Sequence, residues 1–126
     1  MRVMEGHTYS VWSVDWDSAC KTAVSGSDDT TIKQWDLGSG RCVETYQCDA
    51  ATNQVFMHEL GSSFLSRHVS ASSQELKTWA ACCGTPLMTV PLLGCKYWLR
   101  LAANSDLSYV ALCAESEAGF KVEVWK

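Results

Sequence analysis

GHTYSVWSVDWDSACKTAVSGSDDTTIKQWD, residues 6–36, decides how the rest of the chain reads. Three short runs within it alternate apolar and polar residues: Val11 to Trp16, Thr22 to Ser25 and Thr31 to Trp35. Alternation over so few residues predicts half-buried strands, not helices. Between the last two runs, Ser27-Asp28-Asp29-Thr30 has the composition of a tight hairpin. The stretch opens on Gly6-His7 and closes on Trp35-Asp36.

With both of those dipeptides in register, residues 6–36 resemble one WD40 repeat, the blade unit of a β-propeller. The resemblance implies an all-β fold, a partial WD40-type propeller of about three antiparallel blades in an arc. In that family a His of the Gly-His turn, a Ser or Thr of the second strand, a hairpin Asp and the closing Trp form a hydrogen-bonded chain. Carried over by motif, the positions are His7, Ser25, Asp29 and Trp35. An imidazole and an indole between strands need such partners, because an unpaired buried polar group costs about 1–3 kcal/mol. His, Asp and Ser are also the residue types of a hydrolase triad. A blade packs them inside the sheet and not in a cleft, so a structural tetrad is expected.

Outward from this stretch, Arg2-Val3-Met4 falls where WD40 sequences place the outer strand of a preceding blade. Arg41 to Tyr46 is the next outer-strand candidate, reached through the turn Leu37-Gly38-Ser39-Gly40. Trp79 lies 44 residues after Trp35, and Trp125 lies 46 after Trp79. Both spacings match a blade period of about 40–45 residues. The expected units are 1–40, 41–84 and 85–126, making residues 1–126 one WD40-repeat region. In the second unit Val55 to Leu60 is expected to replace Val11 to Trp16, Val69-Ser70-Ala71-Ser72 to echo Val24 to Ser27, and Leu76 to Trp79 to mirror Ile32 to Trp35. Leu87 to Val90, between Pro86 and Pro91, suits an outer strand, since proline removes a ladder donor. In the third unit the strands expected are Tyr97 to Ala102, Tyr109 to Cys113 and Phe120 to Trp125. The polar chain is expected to lapse after the first unit. Ala50-Ala51 stands in the second Gly-His slot and Ser73 in the hairpin Asp slot, leaving Ser70 and Trp79; the third unit keeps only Trp125, followed by Lys126.

Composition narrows the function. The chain has 126 residues, 47% hydrophobic, with a net charge of −4. That suits one compact domain, and the acidic balance disfavours nucleic acid as a partner. No apolar run reaches the roughly 18–20 residues of a membrane span. Met1 to Glu5 runs straight into the repeat, so no signal peptide is expected. The seven cysteines are odd in number and spaced like neither a disulfide framework nor a zinc site, which points to a reducing compartment, cytosol or nucleus. His58 and His68 have no metal-type neighbours at strand spacing, and Asp15, Asp17, Glu115 and Glu117 read as solvated charge. No catalytic set, metal site or cofactor motif is expected.

What remains is surface. The resemblance implies a non-catalytic interaction scaffold that binds a protein or peptide at the rim. The candidate positions are Ser10, Trp12 and Asp28, then Gln54, Phe56 and Trp98. Aromatics beside polar groups are the composition of interface anchors; packing of Trp12, Phe56 and Trp98 between blades is the competing role. A degenerate structural fragment without a partner, or a propeller-type enzyme, are the competing functions. Three blades leave two apolar faces, so further blades or self-association are expected to cover them.

Overall fold

The computed structural model describes residues 1, 3–70, 73–92, 100–116 and 119–125. Among these there is no helix, and eleven strands fold into three antiparallel sheets. Sheet 1 holds β1 (Val11–Trp16), β2 (Thr22–Ser27), β3 (Thr31–Asp36) and β4 (Arg41–Gln47), in that order. Sheet 2 repeats the meander with β5 (Ala51–Met57), β6 (Ser63–Val69), β7 (Gln74–Ala80) and β8 (Met88–Pro91). In sheet 3, β9 (Arg100–Ala103), β10 (Val110–Ser116) and β11 (Gly119–Trp125) are neighbours in sequence order. This is a partial β-propeller of the all-β class.

The core lies between sheets. Val24, Ile32 and Tyr46 of sheet 1 meet Val55, Met57, Phe64 and Trp79 of sheet 2, all nearly or fully buried. Phe64 and Trp79 stack at 5.8 Å with planes 10° apart, and Tyr46 meets both edge-on. Behind sheet 2, Leu65 and Leu76 pack with Leu92 and Leu101, joined by Phe56, Val90 and Val110. Each sheet buries alternate residues on opposite sides because side chains alternate along a strand.

Side chains tie the inner strands together. The Val55 N–H donates to Ser13 Oγ (3.0 Å), and the Met57 N–H donates to Asp15 Oδ2 (2.7 Å). At the second seam the Leu101 N–H donates to Gln54 Oε1 (3.3 Å). Gly26 lets β2 approach β5 closely: a Cβ there would stand 2.5 Å from Thr52 Cγ2. Outside the seam, the Cys82 N–H donates to the Tyr46 hydroxyl, which donates to Gln34 Oε1, both at 2.7 Å. Burial pushes that hydroxyl up to about 12, so the phenol stays protonated.

Several strand positions differ from those read in the sequence. The inner strand of sheet 2 is Ala51–Met57, four residues before Val55 to Leu60. The serine opposite Lys77, and thus equivalent to Ser25 opposite Lys33, is Ser66 and not Ser70. Ser70 closes the β6–β7 hairpin, its hydroxyl accepting the Ser73 N–H at 3.1 Å. Polar residues buried in β5 and β6 (Thr52, Ser66, Arg67, His68) blur the alternation that reveals a half-buried strand. Val3 and Met4 lie in no strand, and Arg2 falls outside the described residues. The third inner strand is described only from Arg100, so Tyr97 to Leu99 also fall outside them. Asp15 and Asp17 are not merely solvated. Asp15 caps β5, and Asp17, 5% exposed, accepts the N–H groups of Lys21 and Thr22.

Candidate functional site: the polar chains and the rim of sheet 1

Four side chains from the first turn, two strands and a hairpin converge on the uncovered face of sheet 1. Trp35 Nε1–H donates to Ser25 Oγ (2.8 Å). An indole is a donor only, so the Ser25 hydrogen is free to pass to His7 Nε2 (2.7 Å). That leaves Nδ1–H of His7 to donate to Asp29 Oδ2 at 2.7 Å. The donor-only indole thus sets the direction of the whole chain and the tautomer of His7. Asp29 also accepts from the Thr31 hydroxyl (2.6 Å) and from the backbone N–H groups of Thr31 and Thr8. Burial acts to raise the Asp29 carboxyl, but the bonds from Thr31, His7 and Thr8 outweigh it and hold the group at about 2.

The sign of the pH effect follows. The carboxylate is held below its ordinary value of 3.8, so its stabilisation is full above about 4 and fades as pH falls toward about 2. After discounting for solvent screening at this loop, about 1–2 kcal/mol is at stake. Asp29→Asn is expected to remove that acid-range loss and lower stability near neutrality by a similar amount. Urea unfolding at pH 7 and pH 3 checks it; equal pH dependence in both proteins would sink the assignment.

Sheet 2 carries a second chain that position-by-position reading of the motif missed. Trp79 Nε1–H donates to Ser66 Oγ (2.8 Å), and Ser66 Oγ meets His68 Nε2 at 2.6 Å. His68 Nδ1 faces Thr52 Oγ1 at 3.2 Å. The imidazole comes from strand β6, two residues after the serine, instead of from a turn before the sheet. So the polar chain does not lapse after the first unit; its histidine changes element and its carboxylate is dropped. Burial drives His68 down to about 4, so the ring is neutral, as a chain without a carboxylate requires. The side chain of Trp125, expected to close a third set, falls outside the described ones.

The rim residues separate into two groups. Ser10, Trp12 and Asp28 cluster at one end of sheet 1, where the Asp28 N–H donates to Ser10 C=O (3.0 Å). All three are exposed, Trp12 at 61%, and the β1–β2 register slips at Trp12, between Val11 and Ser13. Gln54 and Phe56 are turned toward sheet 3 instead. Gln54 accepts from the Leu101 N–H and from Arg67 Nη1 (3.2 Å), and Phe56 packs on the Leu65 cluster. Both belong to the seam, so they do not form a rim with Trp12. Trp98 falls outside the described residues.

Five cysteines are described as free thiols. Cys48 is buried and its thiol is pushed up to about 11 by that burial, so it packs as a small apolar group. Among the described residues no helix is long and apolar enough to cross a membrane.

The family model described as WD domain, G-beta repeat matches residues 1–36. Among curated proteins, the chain is similar to eukaryotic translation initiation factor 3 subunit I of several fungi. Identity is 38% with the Saccharomyces cerevisiae protein, over 50% of this chain and 18% of the relative. With the Pyricularia oryzae protein it is 35%, over 90% of this chain and 30% of the relative. With the Mycosarcoma maydis protein it is 30%, over 81% and 33%. The chain therefore spans no more than a third of the length of these relatives.

Proposed function

We propose, from the premise that this chain is built of WD40 repeats, that it serves as a non-catalytic scaffold presenting a protein-binding rim. The observation that carries the proposal is Trp12, 61% exposed beside Ser10 and Asp28 at one end of a rigid sheet. A half-exposed indole next to polar groups gives a partner both buried area and hydrogen bonds. The relatives' name supports a place among translation initiation factor subunits in the cytoplasm.

Catalysis by the His7–Asp29–Ser25 trio is disfavoured by its own geometry. Ser25 is 5% exposed, and its oxygen is held between an indole and an imidazole. A nucleophile so enclosed has no room for an acyl group. A degenerate fragment without a partner is disfavoured by sheet 2, which keeps a polar chain of its own in Trp79, Ser66, His68 and Thr52.

The test is affinity purification of the tagged chain with mass spectrometry. Initiation factor subunits are expected to co-purify, and Trp12→Ala is expected to reduce their recovery about tenfold or more while strand content by circular dichroism is unchanged. No enrichment of those subunits with the wild-type chain would sink the assignment. A Trp12→Ala chain that unfolds would return this tryptophan to a packing role.

A further inference from the structure

The seam between sheets 2 and 3 repeats the register of the seam between sheets 1 and 2, with smaller side chains in its middle. Tyr46 pairs with Ile32 as Val90 pairs with Leu76, and Ile32 and Leu76 each stand three residues before a tryptophan, Trp35 and Trp79. On the facing sheet, Phe64 lies between Met57 and Trp79 as Val110 lies between Ala103 and Trp125. Tyr46 and Phe64 are fully buried and meet edge-on at 4.9 Å. Val90 and Val110, at the matching positions, are only half-buried. Isopropyl groups thus stand where the other seam has aromatic rings, and they leave space that the rings fill.

A cavity of about 340 Å³ opens at this point. Leu65, Leu76 and Val90 of sheet 2 wall one side, and Leu107 and Val110 the other. Thr78 adds a hydroxyl-bearing side chain to the wall. It directly precedes Trp79 as Gln34 precedes Trp35, and it is Gln34 Oε1 that accepts the Tyr46 phenol at 2.7 Å. Among the described residues the Thr78 hydroxyl makes no hydrogen bond.

We propose that this cavity is a binding site for a small phenol, a free molecule with the ring and hydroxyl that Tyr46 supplies in the other seam. The matching seam selects that chemistry. There a phenol ring fills the space between equivalent backbone positions, and the acceptor for its hydroxyl sits on the residue before a tryptophan. Apolar cavities stay dry and take up small aromatic molecules, and the volume falls in the range of about 300–1,000 Å³ of ligand sites. Thr78 gives the hydroxyl of the guest a partner, which an all-apolar wall would deny it. The site shares no residue with the Trp12 rim, so it stands or falls apart from the scaffold role.

Titration of the isotope-labelled chain with para-cresol, followed by amide NMR shifts, tests it. Saturable shifts are expected at Val90, Leu107 and Val110, with a Kd of about 1 mM or below. Toluene, which lacks the hydroxyl, is expected to bind about five- to tenfold more weakly. Thr78→Val is expected to erase that preference while toluene binding stays as it was. Val90→Tyr and Val110→Phe fill the cavity from opposite walls, and each is expected to abolish binding of both molecules with strand content retained. No saturable shift in the wild type up to about 10 mM would overturn the proposal. So would shifts centred on Tyr46 and Phe64, or undiminished binding in a folded cavity-filling variant. Equal affinity of the wild type for para-cresol and toluene would overturn the phenol assignment.

Discussion

Trp79→Ala is expected to lower the free energy of unfolding by about 3–5 kcal/mol. Trp79 is 1% exposed, stacked on Phe64 and met edge-on by Tyr46, so its removal leaves a cavity walled by two aromatic rings. The neighbouring groups are fixed in strands and relax little, which keeps the cavity open. Ser66, a fully buried hydroxyl, also loses its indole donor while keeping its bond to His68. Small domains are stable by about 5–15 kcal/mol, so the variant is expected to sit near the edge of folding. Trp79→Phe keeps most of the stacking and drops the N–H, and about 1–2 kcal/mol is expected. Urea titrations followed by circular dichroism separate the two. Equal losses for both variants would show that the hydrogen bond, not the packing, dominates.

The second large effect is set by pH. His68 is 2% exposed, and burial, with the nearby Lys77 charge, disfavours protonation more than the Ala50 carbonyl and Asp49 favour it. The folded imidazole takes a proton only near pH 4, whereas the unfolded one does so near 6.5. Stability from this group is therefore full above about 6.5, falls as pH drops, and levels off below about 4. The loss is about 3 kcal/mol, with a maximal slope of about 1.4 kcal/mol per pH unit. His68→Asn removes the titration, and its unfolding free energy is expected to vary by about one proton less than the wild type across that window. Denaturant midpoints at pH 7, 5.5 and 4.5 decide it. Parallel curves for both proteins would mean that His68 is not what destabilises the fold in mild acid.

The first unit was legible because its sequence obeys local rules. Trp12 to Trp16 alternates cleanly, the hairpin of the unit is polar, and its four bonded side chains stand at motif positions. The second unit hid itself for the opposite reason. Its inner strand, ATNQVFM, places three consecutive polar residues where apolar ones signal a strand, and Thr52 is fully buried among them. A local likeness of Val69-Ser70 to Val24-Ser25 then drew the register four residues too far. Tertiary bonding explains why β6 tolerates serine, arginine and histidine inside: Ser66 and His68 satisfy each other, and Arg67 reaches Gln54. The bonds that complete these groups, from Trp79 to Ser66, between Thr52 and His68 and from Arg67 to Gln54, run between strands, so no window of adjacent residues displays them. Gln54 and Phe56 were misplaced at the rim for the same reason. Their positions match Ser13 and Asp15 along the inner strand, but only the neighbouring sheet shows what they touch.

The side-chain ties from β1 to β5 have a consequence for how the chain behaves in a crowded solution. Inner-strand amides are the groups a stray strand would zip onto. Ser13 and Asp15 already hold two of them at Val55 and Met57, and Gln54 does likewise for Leu101. Polymerisation along the inner wall is thereby discouraged, whatever covers the open ends of the arc.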